Sequence, residues 1–259
     1  MDQKRLQTIL DKHHIPACRY FDQVGSTNDI ALDWLSSDAP EYALVLADAQ
    51  TSGRGRNGRV WVTTPGASIA LSIILHPSPA EQNQLGLFSL VAGLAFVMAI
   101  ESHCHGIVQV KWPNDILIAR MKTAGILTET VWAGDQLKGL VLGIGINLLR
   151  TAVPPAAGLL FPATSLQDHA DGPPDSLELL DTLLASLPVV RRQMLDQDFS
   201  HLYTSRMAFL NEPIALHTIE GVSFKGILQG IDPSGNILLE NEGGQTRSFP
   251  IGDISLRPA

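Results

Sequence analysis

Cysteine is nearly absent. The 259 residues hold two, Cys18 and Cys104, and no Cys-x-x-Cys pair. That excludes a disulfide framework and suits a reducing compartment. Charge is scarce too: Asp, Glu, Lys and Arg make up 17% of the chain, against roughly 25% in an average soluble protein. What charge there is runs acidic, with a formal net of −8. A general DNA coat or a polybasic membrane binder needs clustered cation, so the balance argues against both. Long hydrophobic runs are also missing. The most apolar stretch, residues 85–100, is broken by Gly86, Ser89 and Gly93. It falls short of the about 20 residues of a bilayer span and reads as a buried helix. The opening MDQKRLQTIL has no apolar core and no small-residue cleavage site of a secretory signal. The expectation is a cytoplasmic protein without membrane or nucleic-acid partners.

Apolar residues are plentiful, at 45%. The length suits a large domain with a smaller one beside it. Helical patterning occupies residues 3–13, and a second helix starts at Ser26, with Asp29 placed to complete a capping box. Buried strands are expected at 42–49 and 68–75, then a long apolar helix over 82–101. Strand-like runs follow at 107–111, 116–119, 125–131 and 137–148. Residues 150–174 show no period and read as an ordered irregular loop. A leucine stripe then begins at Asp175-Ser176, and Pro188 is expected to kink or break that helix. From Pro213 the chain turns to short β runs at 214–219, 222–231, 236–240 and 245–250, separated by Glu220-Gly221, Asp232-Pro233-Ser234-Gly235 and Gly243-Gly244. This predicts a small all-β module, packed on the main domain because it is marginal alone.

The chemistry concentrates in three segments. Gly53-Arg54-Gly55-Arg56-Asn57-Gly58-Arg59 packs three cations and three glycines into an acidic protein. Glycines let backbone N–H groups approach an anion, and arginine adds planar, permanently charged donors. Trp61 follows as an aromatic face. The alternatives are a solvated basic turn or a nucleic-acid contact. No Gly-Lys-Ser/Thr follows, so this is not a P-loop, and no βαβ pattern supports a dinucleotide fingerprint. The second segment is Lys111-Trp112-Pro113-Asn114-Asp115, followed by Lys122-Thr123-Ala124-Gly125-Ile126-Leu127. Pro113 reads as a corner between strands. Lys122 can aim an ammonium at a reacting anion, although most lysines do not. The third is Gly143-Ile144-Gly145-Ile146-Asn147, where two glycines on one strand face suggest a close approach or simple packing. His103-Cys104-His105 lacks a second ligand pair for zinc, so no metal ligand is assigned there. No Gly-x-Ser-x-Gly nucleophile motif occurs.

Taken with Ser26-Thr27-Asn28 and Gln50, these segments resemble the biotin protein ligases, in the family's order and spacing. The closing Gly252-Asp253-Ile254-Ser255-Leu256-Arg257 resembles the end of that family's SH3-like domain. The resemblance implies an α/β (α+β) fold: a mixed sheet with packed helices in a class II synthetase-like catalytic domain, plus a small SH3-like β-barrel. The expected division is 1–210 and 211–259.

The resemblance also implies a two-step reaction using biotin, ATP and Mg2+. Biotin is activated as biotinyl-5′-AMP and passed to a lysine of a biotin carboxyl carrier protein, that of acetyl-CoA carboxylase. By motif position Ser26, Thr27, Asn28, Gln50, Gly53, Gly55, Gly125 and Ile126 would hold biotin. Lys122, Arg54 and Arg56 would be catalytic and would also touch biotin. Arg56, Arg59, Trp61, Asn114 and Asn147 would serve the nucleotide, Trp61 against adenine, with residues 150–174 folding over it. Asn57 departs from relatives that carry another cation there. The few residues before Ser26 suggest the class without a DNA-binding domain, as a monomer or homodimer. A lipoate-type protein ligase, a non-catalytic binder of the adenylate or carrier, and a corepressor-type DNA binder are the competing readings.

Overall fold

A computed structural model of the chain describes residues 1–156, 159, 161–218, 222–250 and 254–258. Residues 157, 158 and 160 of the irregular loop, the Glu220-Gly221 turn, and Gly252 and Asp253 of the closing motif lie outside the described residues.

The larger layer is a seven-stranded sheet. Its strands are β1 (Cys18–Phe21), β2 (Leu44–Ala47), β3 (Ser68–Leu75), β4 (Val108–Lys111), β5 (Asp115–Ile118), β6 (Met121–Ala133) and β7 (Gln136–Asn147). The order is β1-β2-β3-β7-β6-β5-β4. Only β1 and β2 run parallel; every other neighbouring pair is antiparallel. This gives a mixed sheet from mostly hairpin connections, as the short polar separators predict. β2 and β3 are buried throughout, as strands covered on both faces are, and the apolar run of β3 is interrupted only by Ser72, which bonds to α2.

Helices cover both faces. α1 (Gln3–Lys12) is capped by the Asp2 carboxylate, which accepts from the N–H groups of Lys4 and Arg5. α2 (Thr27–Ser36) lays Ala31 and Leu35 on Val45, Ile74 and Val141. The predicted Ser26–Asp29 capping box does not form. Ser26 makes no side-chain cap bond, and Asp29 is turned toward Arg54. The helix expected over 82–101 begins only at Leu87, as α4 (Leu87–Ile100), and a separate one-turn α3 (Pro79–Gln82) precedes it. Ser78 and Glu81 close a true capping box that ends in the first turn, and Gly86 restarts the helix. α4 is buried almost all round, between the sheet and α5 (Ser176–Gln193).

α5 runs unbroken through Pro188, contrary to expectation. An interior proline costs about 3 kcal/mol. Leu183, Leu184, Leu187 and Val190 are buried on both sides of it, and that burial holds the helix in register. α6 (Phe199–Thr204) leads into the second layer.

The second layer is a five-stranded antiparallel sheet of β8 (Pro213–Thr218), β9 (Ser223–Ile231), β10 (Ile237–Glu240), β11 (Thr246–Phe249) and β12 (Ile254–Pro258). Its order is β11-β10-β9-β8-β12. It is fastened to the first layer at named points. The fully buried Trp112 donates its indole N–H to the Gly235 carbonyl at 3.0 Å. The Ile231 N–H donates to Thr204 Oγ1 at 3.2 Å, and Arg120 pairs with Glu212. Among the described residues, no helix is long and apolar enough to cross a membrane.

Candidate active site

The predicted residues converge on one cavity of about 420 Å3. Ser26, Thr27, Asn28, Gln50, Arg54, Gly55, Arg56, Arg59, Trp61, Asn114, Lys122, Gly125, Ile126 and Asn147 all line it. Gly53 does not. It sits behind the loop, where a Cβ would overlap the Trp61 carbonyl oxygen. Its carbonyl accepts from the Trp61 N–H at 2.9 Å. Gly53 therefore serves the folding of the loop rather than a ligand.

The floor is made of glycine. Gly125 of β6 is opposite Gly145 of β7, and Gly143 is opposite Leu127 on one side and Ser72 on the other. A Cβ at Gly143 would overlap the Asn28 amide, and one at Gly145 would overlap the Trp61 indole. The two glycines thus admit side chains from α2 and from the Gly/Arg loop, not another backbone. Trp61 lies across this floor with its indole N–H buried and unpaired.

At one end of the floor is a polar cluster on the first turn of α2. The Thr27 N–H donates to Gln50 Oε1 at 2.8 Å, and Thr27 Oγ1 lies 2.8 Å from Ser72 Oγ. The Ser72 hydroxyl donates to Asn28 Oδ1 at 2.6 Å. Ser26, Thr27, Asn28 and Ser72 are all buried. Such a preformed set of donors and acceptors suits a flat polar ring such as a ureido group.

At the other end is charge. Asp115 holds Lys122 at 2.5 Å and Lys111 at 2.9 Å. Burial alone would raise the Asp115 carboxyl, but Lys122 and Lys111 outweigh it and hold it well below the usual carboxylate range. Burial pushes the Lys111 ammonium down, and Asp115 only partly restores it. Lys122 reaches this cluster through a β-bulge. Asp115 is opposite Gly125 and Ile116 opposite Ala124, but Leu117 is opposite Lys122. Thr123 is the extra residue, and its insertion turns Lys122 onto the Gly125 face. There a Cβ on Gly125 would lie 3.2 Å from Lys122 Nζ.

Arg56 donates to Asn114 Oδ1 at 3.4 Å, and the Asn114 amide donates to the Ile126 carbonyl at 2.8 Å. The Asn147 amide donates to the Thr164 carbonyl at 3.2 Å. These bonds fix both asparagines in the cavity wall, Asn147 buried there. Arg54 is directed differently from the expectation. Its guanidinium faces Glu129, at 2.7 and 2.9 Å, and Asp29, at 2.6 Å. Of the irregular loop, Pro154, Leu159, Phe161 and Ala163 reach the cavity wall.

Sequence reasoning missed Arg257. It enters the cavity from β12, the last strand of the second layer, beside Leu256. Burial and the neighbouring Arg59 charge push its guanidinium down from its ordinary value, while Asp115 pulls the other way. No local pattern announces a lone arginine in a short terminal strand. Nor does the sequence mark a role for Lys111, Asp115 or Phe161, although the first two stand inside a motif.

The charge count of the wall is lopsided. Among the described lining residues Arg56, Arg59, Lys111, Lys122 and Arg257 stand against a single carboxylate, Asp115, while Arg54 is turned to Glu129 and Asp29. In a chain of net charge −8 this is a site for a polyanion. A resident metal is a different matter. Among the described residues no group of three His, Cys, Asp or Glu side chains gathers, and both Asp115 oxygens already carry lysines. The wall does not supply a magnesium cage.

Comparison with known proteins agrees with this geometry. Residues 20–147 match the Biotin/lipoate A/B protein ligase family, and residues 209–257 match the Biotin protein ligase C terminal domain. The chain is 35% identical over 229 residues to a Biotin--[acetyl-CoA-carboxylase] ligase of Paracoccus denitrificans, covering 85% of this chain and 92% of that one. It is 36% identical over 228 residues to the Bifunctional ligase/repressor BirA of Bacillus subtilis, covering 86% and 70%. The biotin protein ligase of Aquifex aeolicus, solved in complex with biotin and ATP, superposes with a TM-score of 0.80 at 27% identity, covering 94% of this chain and 100% of that one. Fold, motifs and relatives converge: the chain is a ligase and belongs to the biotin protein ligase family.

Proposed function

We propose that the protein joins biotin to a lysine of a biotin carboxyl carrier protein, that of acetyl-CoA carboxylase, at the cost of ATP. The observation that carries this is the cationic wall beside a buried polar cluster, with glycines between them. A small polar ring fits the Thr27/Gln50 end. A carboxylate and a triphosphate fit the Lys122/Arg257 end.

In the first step a biotin carboxylate oxygen attacks the α-phosphorus. The bond from that phosphorus to the bridging oxygen breaks, and pyrophosphate leaves. Two anions must meet, and fixed cations offset their repulsion. Lys122 and Arg56 are assigned to the carboxylate and the α-phosphate, and Arg59, Lys111 and Arg257 to the remaining phosphates. Asn114 and Asn147 hold the nucleotide end. Trp61 covers the intermediate and excludes water from the mixed anhydride. In the second step the acceptor lysine amine attacks the acyl carbon, and AMP departs with its phosphate oxygen. Magnesium enters on the phosphates of ATP as part of the substrate. Residues 1–210 are assigned as the catalytic part and 211–259 as an accessory part that lends Arg257.

The test is pyrophosphate exchange into ATP in the presence of biotin or of lipoate. Exchange with biotin alone supports the reading. Exchange with lipoate alone transfers the chain to the lipoate branch. Tight biotin binding without exchange makes it a binder.

A further inference from the structure

We infer that Glu129 is a positioning residue for this reaction, tying Arg54 at the head of the Gly/Arg loop to Asn28 in the wall of the cavity. The inference rests on the biotin and ATP reading above and assigns one step of its assembly.

Residues 53–61 form a small closed loop. The Gly55 N–H donates to the Arg59 carbonyl at 2.8 Å, and Arg54 and Val60 form an isolated antiparallel bridge. Backbone bonds thus hold the loop to itself. Its side chains tie it to the sheet through Trp61 over Gly145, through Arg56 on Asn114, and through Arg54, the one that carries a paired carboxylate fork. The guanidinium places Nη1 on Glu129 Oε1 at 2.7 Å and Nη2 on Glu129 Oε2 at 2.9 Å. This is a two-pronged Arg–carboxylate pair, which fixes direction as well as distance. Glu129 stands on β6 four residues beyond Gly125, on the cavity-floor face of that strand.

The same Glu129 Oε2 accepts from the Asn28 amide at 2.8 Å. Asn28 is 4% exposed and fills the space over Gly143. Its other amide atom accepts from Ser72, which touches Thr27, which is bonded to Gln50. Gln50 lies three residues before Gly53, at the entry to the loop. A continuous chain of polar contacts therefore leaves the loop at Arg54 and returns to it at Gln50. Among the described residues Asp29 of α2 accepts from Arg54 alone, at 2.6 Å, while Glu129 accepts from both arms. The placement of the loop over the cavity and the shape of the biotin end of the cavity are set together through it.

Arg54 and Arg56 thus differ in role. Arg54 acts through Glu129 and not on the reacting anions. Its charge alone is then insufficient, because a lysine cannot make the fork. A glutamine at 129 keeps the volume but turns an N–H2 group toward donors.

The experiment uses the full chain with Glu129→Gln, Arg54→Lys and the double variant. Two quantities are read. One is the rate of tryptic cleavage after Arg56 and Arg59, which are present in all four proteins. The other is KM and kcat for biotin in pyrophosphate exchange. Each single variant should speed cleavage and raise the biotin KM roughly tenfold, kcat changing far less. The double variant should be no worse than either single one. Additive losses would overturn the inference. So would Arg54→Lys behaving as wild type while Glu129→Gln fails, or Glu129→Gln leaving both quantities unchanged. Cleavage needs no turnover, so a chain that never exchanges pyrophosphate refutes the reading of the reaction while cleavage still decides the tie. Arg54→Lys changes a partly exposed side chain and keeps the test open if the glutamine variant does not fold.

Discussion

Lys122 Nζ sits 2.5 Å from Asp115 Oδ1, on the same face as Gly125 three positions further along the strand. Regular alternation would put residues 122 and 125 on opposite faces. The bulge at Thr123 brings them together, so the strand irregularity is what makes Lys122 a site residue. Lys122→Ala should cut biotin-dependent pyrophosphate exchange by about 10²–10³-fold, the range for loss of one fixed charge stabiliser. A fluorimetric binding titration should show biotin still held through the Thr27/Gln50 end.

Asp115 is the counter-ion of two lysines, one of them buried. Asp115→Asn leaves Lys111 without compensation and should cost about 3 kcal/mol in urea unfolding. The pH dependence follows from its lowered carboxyl. The folded value lies below the unfolded one, so its contribution is complete above about pH 4 and is lost as pH falls from there toward the folded value. Wild type should therefore lose more stability below about pH 4 than the asparagine variant does. Equal acid slopes would contradict the pairing.

Gly145→Ala places a methyl where the Trp61 indole lies. The ring must leave the floor. Tryptophan emission should shift to the red, and loop cleavage by trypsin should accelerate. The sheet itself should hold, with a change in unfolding free energy of about 1 kcal/mol or less. An unchanged emission spectrum would mean that the indole is not seated there.

Arg257 is predicted to act on the nucleotide alone. Arg257→Ala should raise the KM for ATP about tenfold, in line with one lost charge-assisted contact. The KM for biotin should stay within about twofold. A change confined to biotin would contradict its placement with Arg59 and Asp115.

Much of this site was legible because each motif is local. Arg54 to Trp61, Lys111 to Asp115 and Gly143 to Asn147 are contiguous, and a contiguous segment carries its own glycines and cations. What stayed hidden depends on distant partners. The Thr123 bulge has no glycine or proline to mark it. Arg54 looked like a ligand contact because nothing near it in sequence shows Glu129, which is brought in by β6. Gly53 looked like part of the anion cradle, whereas Trp61 packs behind it. Pro188 obeyed burial rather than its own propensity, since the leucine stripe continues past it. Strand positions 68–75 are legible to the residue because the segment is apolar but for Ser68 and Ser72 and turns bound it.

Biotin transfer is tested by labelling of a purified biotin carboxyl carrier domain with radioactive biotin, with and without ATP and magnesium. Label should appear on one acceptor lysine, dependent on ATP, and none should appear with Lys122→Ala in the same time. Label that appears without ATP, or none at all with biotin firmly bound, would contradict transfer driven by ATP.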